Sequence, residues 1–161
     1  MSRFLAGCLM FSFALASFGG FSYAQDGPKV KLEEVKCPLM PKRDVKEDKS
    51  ADFLDAKVYF CCGNCVKKFS ADPEKFAVKA NHQLALTKQF TQKACPISGS
   101  KIDEDQTLEM GGLKVGFCCG NCKKKVVDAK DDDAKTELVF GVDAFKKAFE
   151  KKKVEEDGDG V

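Results

Sequence analysis

The chain has almost no histidine, the residue that enzymes use most often for general acid–base work. It has no tryptophan, two tyrosines and a single histidine, His82, among its 161 residues. We find no Ser/His/Asp set, no carboxylate pair and no glycine-rich phosphate-binding loop. Because one histidine leaves little material for general acid–base catalysis, hydrolase and transferase functions have no support, and we expect a protein that is not an enzyme.

An excess of charge of one sign is also missing. The chain has 27 Lys and Arg against 25 Asp and Glu, which gives a formal net charge of +2. Proteins that bind nucleic acid usually show a clear excess of basic residues on one face, so we expect no nucleic-acid partner. The mixed charges indicate a well-solvated surface and say little about other partners.

Long apolar runs are absent except at the amino terminus. Arg3 precedes an almost wholly apolar run at 4–18, and a small-x-small cleavage motif, SYA, follows at 22–24. The run is shorter than the roughly 20 residues of a membrane-spanning helix. We therefore predict a cleaved signal peptide over 1–24, a periplasmic or secreted protein, and no stable membrane insertion after cleavage.

Cysteine, in contrast, is abundant and repeated. Eight of the nine cysteines follow the predicted signal peptide. The segment KVYFCCGNCVKKF at 57–69 returns as KVGFCCGNCKKKV at 114–126, with ten of thirteen positions identical. A Cys-Pro dipeptide precedes each copy, at Cys37 and Cys95. Because the offset is 58 residues for Cys-Pro and 57 for FCCGNC, the chain contains an internal duplication.

Each copy is predicted to form a β-hairpin followed by a helix. A short strand, at 58–60 or 114–117, leads into FCCGNC, and the lysine-rich stretch after it starts a helix. The glycine pair 111–112 marks the hairpin turn that feeds the second strand. We expect Gly63 and Gly120 to form tight turns with positive φ.

The segments between and after the copies complete an α+β fold. Apolar residues at helical spacing predict a connecting helix over 74–93, started by Asp72-Pro73, and an amphipathic helix over 142–153. TELVFG at 136–141 is interpreted as a strand or a buried apolar turn. We predict two small β-hairpin-plus-helix modules joined by a helix: 25–93 with the linking helix, 94–153 with the C-terminal helix, and a flexible tail at 154–161.

The spacing of the cysteines is typical of a thiolate metal site. The outer cysteines of FCCGNC form a C-x3-C pair at the junction of a strand and a helix, which puts two sulfurs on one side. A distant cysteine on the Cys-Pro turn can close the site from across the hairpin. Three thiolates suit a soft or borderline ion such as Zn(II) or Cu(I).

The residues around these cysteines resemble the YHS and TRASH group of small metal-binding modules. The upstream Cys-Pro, the FC-x3-C pair, the lysine-rich helix, Phe69 and DPEKF at 72–76 carry the resemblance. It implies a secreted bacterial protein of zinc-ribbon or treble-clef-like modules, with a metal transporter or another envelope protein as partner. Carried over position by position, it assigns metal ligation to Cys37, Cys61, Cys65, Cys95, Cys118 and Cys122.

The chain departs from that group at one position in each copy. Many such modules have C-P-x-C upstream, whereas Met40 and Ser98 stand in place of the last cysteine here. Met40 offers a thioether that favours a soft ion such as Cu(I), while Ser98 is a poor ligand. Cys62 and Cys119 are further candidates for the fourth ligand, as is water. Neighbours in an extended strand point to opposite sides, so Cys62 joins Cys61 only if the turn bends sharply.

Two other functions fit parts of the cysteine pattern. An exported chain meets an oxidising compartment, and four cysteines per copy permit a disulfide-stabilised interaction module without metal. Pairing all four, however, needs a strained bond between adjacent cysteines or two crossing bridges. The C-x-x-C motifs at 62–65 and 119–122 permit thiol–disulfide exchange at a helix amino terminus. No βαβ pattern surrounds them, as a thioredoxin-like enzyme would require.

Overall fold

A computed structural model describes residues 31–152 of the chain. The predicted signal peptide at 1–24 and the tail at 154–161 lie outside this range, so both stay predictions. Five α-helices and four two-stranded antiparallel sheets give the described residues a mixed α+β fold, as expected. None of the helices in 31–152 has the length and apolar character needed to span a bilayer.

The elements follow one another in the order hairpin, helix, linker, hairpin and helices. The strands are β1 (Lys36–Cys37), β2 (Met40–Asp44), β3 (Lys46–Phe53), β4 (Ala56–Phe60), β5 (Phe90–Gln92), β6 (Asp103–Met110), β7 (Leu113–Phe117) and β8 (Phe149–Lys151). The helices are α1 (Gly63–Ala71), α2 (Ala77–Leu86), α3 (Gly120–Val127), α4 (Asp132–Phe140) and α5 (Val142–Ala148), with a 3₁₀ turn at Glu74–Phe76. The sheets pair β1 with β2, β3 with β4, β5 with β8 and β6 with β7.

The hairpins β3–β4 and β6–β7 are equivalent in the two repeats, down to a register shift in each. Gly111 and Gly112 have φ of 54° and 83°, which confirms the predicted two-residue turn. Leu54 and Asp55 form the same turn in the first repeat, with φ of 51° and 56°. Since residues other than glycine rarely adopt this region, the first turn leaves no glycine signal in the sequence.

The turn between each hairpin and its helix is made by cysteine rather than by glycine. Gly63 and Gly120 begin α1 and α3, and neither has the positive φ that we expected. The chain turns at Cys62 and Cys119, whose backbones are extended with φ of −160° and −166°. Each is the N-cap residue of its helix. The prediction of a glycine turn was therefore wrong, because the helix starts directly after the cap.

The linking helix is shorter than predicted. Asp72 precedes it as expected, and its Oδ1 accepts a hydrogen bond from the Lys75 amide at 3.3 Å. The helix ends at Leu86 and the chain reverses at Lys88, whose φ is 57°. Residues 90–92 then form β5, which pairs with β8. The predicted helix over 142–153 is shortened in the same way, because its last residues pair as a strand with β5.

Residues 136–140 of the segment TELVFG lie in a helix, so the interpretation as a strand or turn was wrong. They form most of α4, which begins after Asp131. The Asp131 side chain accepts a hydrogen bond from the Ala134 amide at 2.8 Å, and Asp132 and Asp133 occupy the first turn. Acidic residues cap a helix and interact favourably with its positive amino end. The three consecutive aspartates at 131–133 therefore start this helix.

A continuous hydrophobic core runs through both repeats. It joins Phe60 and Phe69 of the first repeat to Phe117 of the second and to Phe140 and Phe145 of the C-terminal helices. Helix α2 packs against β4 on one side and against α4 and α5 on the other. Residues on both sides of the predicted module boundary at 93 and 94 share this core. The boundary itself stays a prediction.

Candidate metal centres

Each repeat brings three cysteine sulfurs together. In both groups the Sγ atoms all lie within 4.8 Å of one another. The first cluster is Cys37, Cys61 and Cys65, and the second cluster is Cys95, Cys118 and Cys122. These are the six residues that we predicted as metal ligands from the sequence.

The first cluster sits where two strands and a helix meet. Cys37 ends β1, Cys61 directly follows β4, and Cys65 lies in the first turn of α1. The extended backbone of Cys62 turns the chain so that the Sγ atoms of Cys61 and Cys65 are 3.8 Å apart. Strand and helix thus supply two sulfurs from one short segment, and β1 supplies the third from across the hairpin.

The second cluster repeats this arrangement with one difference in its support. Cys118 follows β7 and Cys122 lies in the first turn of α3, with their Sγ atoms 3.6 Å apart. Cys95 lies in a turn, in which its carbonyl accepts from the Gly99 amide at 2.7 Å and its amide donates to the Ser100 carbonyl at 2.9 Å. No strand pair like β1–β2 forms at this Cys-Pro within the described residues.

The inner cysteines lie beside the clusters. The Cys62 sulfur is 3.7 Å from that of Cys65, and the Cys119 sulfur is 3.7 Å from that of Cys118. Neither belongs to the groups whose three sulfurs are all mutually close. Met40, the other candidate for a fourth ligand, is 44% exposed and lies in β2 opposite Cys37.

Ser98 lies closer to a cluster than the sequence indicated. Its Oγ is 3.2 Å from the Sγ of Cys118. Its side chain therefore reaches the second cluster. A hydroxyl is a poor metal ligand, which the sequence already indicates, whereas the geometry shows that the Ser98 side chain faces the second cluster.

The two clusters differ in exposure. The cysteines of the first cluster are all buried, with Cys37 1% exposed and Cys61 and Cys65 8% exposed. In the second cluster Cys95 is fully buried, but Cys118 and Cys122 are half-buried. The first cluster is therefore shielded from solvent on all three ligands, and the second is open on the side of FCCGNC.

The helices that follow Cys62 and Cys119 lower the pKa values of these two inner cysteines. Backbone hydrogen bonds from the start of α1, with that of the Cys65 amide the strongest, lower the pKa of the Cys62 thiol. The Cys122 amide does the same for Cys119 at the start of α3. Because amides at a helix amino terminus stabilise a thiolate, each cluster has an ionisable thiol next to it.

The cluster cysteines differ among themselves in ionisation. Burial raises the pKa of Cys61 and Cys65, and burial with the neighbouring thiol of Cys118 raises that of Cys122 to about 12. Burial also opposes ionisation of Cys95, but hydrogen bonds from the Ser98 hydroxyl and nearby amides outweigh it and lower its pKa to about 7. A cation bound to these groups would displace the remaining thiol protons.

The sulfur separations fit a metal ion. An ion that holds its ligands tetrahedrally at the Zn–S distance of about 2.3 Å separates the sulfurs by about 3.8 Å. The Cys61–Cys65 and Cys118–Cys122 separations are 3.8 Å and 3.6 Å. No cysteine pair in 31–152 is at the disulfide bond length of about 2.05 Å, and all eight cysteines in this range are free thiols.

No family model, curated protein or solved structure matches this chain. The chemistry of the two clusters is therefore the basis for a functional assignment.

Proposed function

We propose that the chain is an exported, non-enzymatic protein that holds Zn(II) or Cu(I) in two thiolate centres, one in each repeat. The observation that carries this proposal is the convergence of three cysteine sulfurs within 4.8 Å, twice, from distant parts of the chain. Soft thiolate ligands select ions of this kind. The resemblance of the repeats to YHS and TRASH modules supports the same function and a zinc-ribbon or treble-clef-like fold.

The difference in burial supports different roles for the two centres. Structural zinc sites are closed by protein ligands, whereas sites that react or exchange keep an open position. The buried first cluster suits an ion that stabilises the fold. The second cluster, with half-exposed Cys118 and Cys122, suits an ion that passes to or from a partner. A metal transporter or another protein of the cell envelope is the partner that such handling requires.

The metal content of the mature chain tests the proposal. The protein is purified under reducing conditions, and its zinc and copper are measured by elemental mass spectrometry after gel filtration. We expect more than one equivalent of bound metal per chain, because both clusters offer three thiolates. Less than about half an equivalent would overturn the proposal.

Thiol counting separates the proposal from the disulfide-stabilised interaction module. The protein is denatured without reductant, and its thiols are titrated before and after a chelator is added. Eight thiols that react without reductant once the chelator has removed the metal support metal binding. Eight cysteines that stay masked, together with no bound metal, would support structural disulfides. Insulin reduction that depends on Cys62 or Cys119 would instead support thiol–disulfide exchange.

A further inference from the structure

A buried glutamine ties together the two chain segments that supply the first cluster. Gln83 of α2 is 3% exposed. Its Oε1 accepts a hydrogen bond from the Tyr59 amide at 2.7 Å, and its Nε2 donates to the Tyr59 carbonyl at 2.9 Å and to the Lys36 carbonyl at 3.2 Å. One side chain thus bonds the residue before Cys37 and the residue two positions before Cys61.

A second glutamine makes the same bonds in the second repeat. The Oε1 of Gln92 accepts from the Gly116 amide at 2.9 Å. Its Nε2 donates to the Gly116 carbonyl at 2.7 Å and to the Ala94 carbonyl at 3.0 Å. Ala94 directly precedes Cys95, and Gly116 lies two positions before Cys118. The partner positions are therefore those of the first repeat, moved by one repeat length.

The duplication accounts for the partner positions but not for the glutamines. Lys36 and Ala94 are 58 residues apart, and Tyr59 and Gly116 are 57 apart, which are the offsets of the repeat. Gln83 and Gln92 are only nine residues apart and lie in different elements, helix α2 and strand β5. In both repeats a glutamine therefore bonds the two segments that supply the cluster cysteines, but the two glutamines are not equivalent positions of the repeat.

We propose that Gln83 and Gln92 are positioning residues, each of which sets the distance between the Cys-Pro cysteine and the FCCGNC cysteines of one cluster. The inference rests on the proposed function. A primary amide is suited to this task, because it accepts through oxygen and donates two hydrogen bonds through nitrogen. Each side-chain amide bonds both the backbone N–H and the carbonyl of one strand residue, as a neighbouring strand would. It also donates to the carbonyl of the residue that precedes the Cys-Pro cysteine. Groups that fix metal ligands from outside the coordination sphere commonly change affinity 10–100-fold when removed.

Gln89 provides a matched control, because its side chain bonds the same strand, β4, that Gln83 bonds. Its Oε1 accepts from the Lys57 amide at 2.8 Å, and its Nε2 donates to the Lys57 carbonyl at 2.8 Å and to Thr87 Oγ1 at 2.9 Å. It has the same chemistry as Gln83 and also makes three hydrogen bonds. It touches only one of the segments that supply the first cluster, at the end of β4 away from Cys61, so it cannot set the distance between them.

The test compares Gln83→Met, Gln92→Met and Gln89→Met, since methionine keeps the side-chain length and removes the hydrogen bonds. Zn²⁺ affinity is measured under reducing conditions by competition with a chromophoric chelator, and Co²⁺–thiolate absorption reports how many sulfurs bind. Each cluster is read separately in full-length chains whose other cluster carries two Cys→Ser substitutions. We expect Gln83→Met to weaken the first cluster about 10–100-fold and Gln92→Met to weaken the second, each with lower thiolate absorption per Co²⁺. Gln89→Met should leave both affinities unchanged.

The outcomes separate this inference from the proposed function. If the unsubstituted chain binds no metal, the proposed function fails and this inference fails with it. If the unsubstituted chain binds two ions and the Gln83 and Gln92 variants bind them equally well, only the positioning role is overturned. An equal loss in Gln89→Met would also overturn it, because general weakening of the strand would then explain the effect. Should Gln83→Met fail to fold, the half-buried Gln92 decides the question for the second cluster.

Discussion

The two clusters contain the same three sulfurs but differ in what surrounds them. In the first repeat the Cys-Pro segment is paired into β1–β2, and all three cysteines are buried. In the second repeat the Cys-Pro segment is a turn, and Cys118 and Cys122 are half-buried beside Ser98. The local motif thus forms the cluster in both copies, while neighbouring segments decide how much solvent reaches it. Duplication followed by divergence of the surroundings gives one chain a closed centre and an open one.

The cores behind the clusters differ in the same way. Phe69 of α1 contacts the rings of Phe53, Phe60 and Phe76, with centroid separations of 5.6 Å, 5.1 Å and 6.4 Å. Val126 occupies the equivalent position in α3. The second repeat compensates with α4 and α5, which supply Phe140 and Phe145 to the core. The first repeat therefore has an aromatic ring in the helix after FCCGNC, whereas the second has valine there and receives its rings from α4 and α5.

The largest expected effect tests whether the cores of the two repeats differ in their dependence on an aromatic ring. Phe69 is 1% exposed, so Phe69→Ala removes a buried ring from the centre of the first repeat and should cost about 3–5 kcal/mol of unfolding free energy. Val126→Ala is the matched change in the second repeat and should cost about 2 kcal/mol. Urea unfolding of the reduced, metal-loaded chain at fixed free metal measures both. Equal losses would show that the repeats do not differ in this respect.

The next effect concerns the Zn²⁺ affinity of the second cluster, which has Ser98 beside it. Ser98→Cys places a fourth thiol where the Oγ is now 3.2 Å from the Cys118 sulfur. Because four thiolates complete the tetrahedral set of a structural zinc site, we expect Zn²⁺ affinity at the second cluster to rise about tenfold or more. Chelator competition measures the change. Ser100→Cys adds a thiol two residues away and serves as the control. A gain as large in this control would contradict the position assigned to residue 98.

A smaller effect tests α4, the helix that follows α3 in the second repeat. Asp131 caps α4 through its bond to the Ala134 amide, so Asp131→Ala should cost about 1 kcal/mol. Asp131→Asn keeps the side-chain acceptor and should cost less. Urea unfolding of the two variants measures the difference. If Asp131→Ala is as stable as the unsubstituted chain, the cap does not support the second repeat.

The smallest effect concerns the contact of the linking helix with the second hairpin. Burial lowers the pKa of His82, which packs on the ring of Phe140 at 4.8 Å and lies against Gly111. The folded state therefore favours the neutral imidazole. Above the unfolded pKa of about 6.5 neither state binds the proton, and below it the unfolded state binds the proton first. Stability should thus fall as the pH drops from about 6.5 through the folded pKa of His82.

The matched variant isolates this histidine from the other groups that titrate in the same range. Unfolding free energies of the unsubstituted chain and of His82→Gln are compared at about pH 7.5 and about pH 5.5. The unsubstituted chain should lose more stability than the variant between the two values. An identical loss in both chains would contradict the assignment of a half-buried neutral imidazole at this position.

Local motifs made much of this architecture predictable from the sequence. The strand that leads into FCCGNC, the helix after it and the turn at Gly111 and Gly112 depend on residues close together in the chain, and all three are present. The spacing of the cysteines predicted that each Cys-Pro cysteine could close the site of its C-x3-C pair from across the hairpin. The structure brings those residues together in both repeats.

Long-range pairing explains what the sequence could not predict. Residues 90–92 and 149–151 have helical apolar spacing, but they pair as β5 and β8 because each satisfies the backbone of the other. The turn at Leu54 and Asp55 contains no glycine, so no local residue marks it. Gln83 and Gln92 have no motif, since the role of each depends on a strand residue 24 positions away in the sequence, Tyr59 or Gly116. The capping residue Asp131 marks the start of α4, whereas the segment TELVFG after it was interpreted as a strand or a buried apolar turn.

The central claim is that each repeat holds its own metal ion, and metal stoichiometry in four chains tests it most directly. The chains are the unsubstituted protein, Cys61→Ser, Cys118→Ser and the double variant, each loaded with Zn²⁺ under reducing conditions and freed of excess metal. The account predicts about two equivalents in the first, about one in each single variant and none in the double variant. Loss of both ions in either single variant, or no bound metal in the unsubstituted chain, would contradict it.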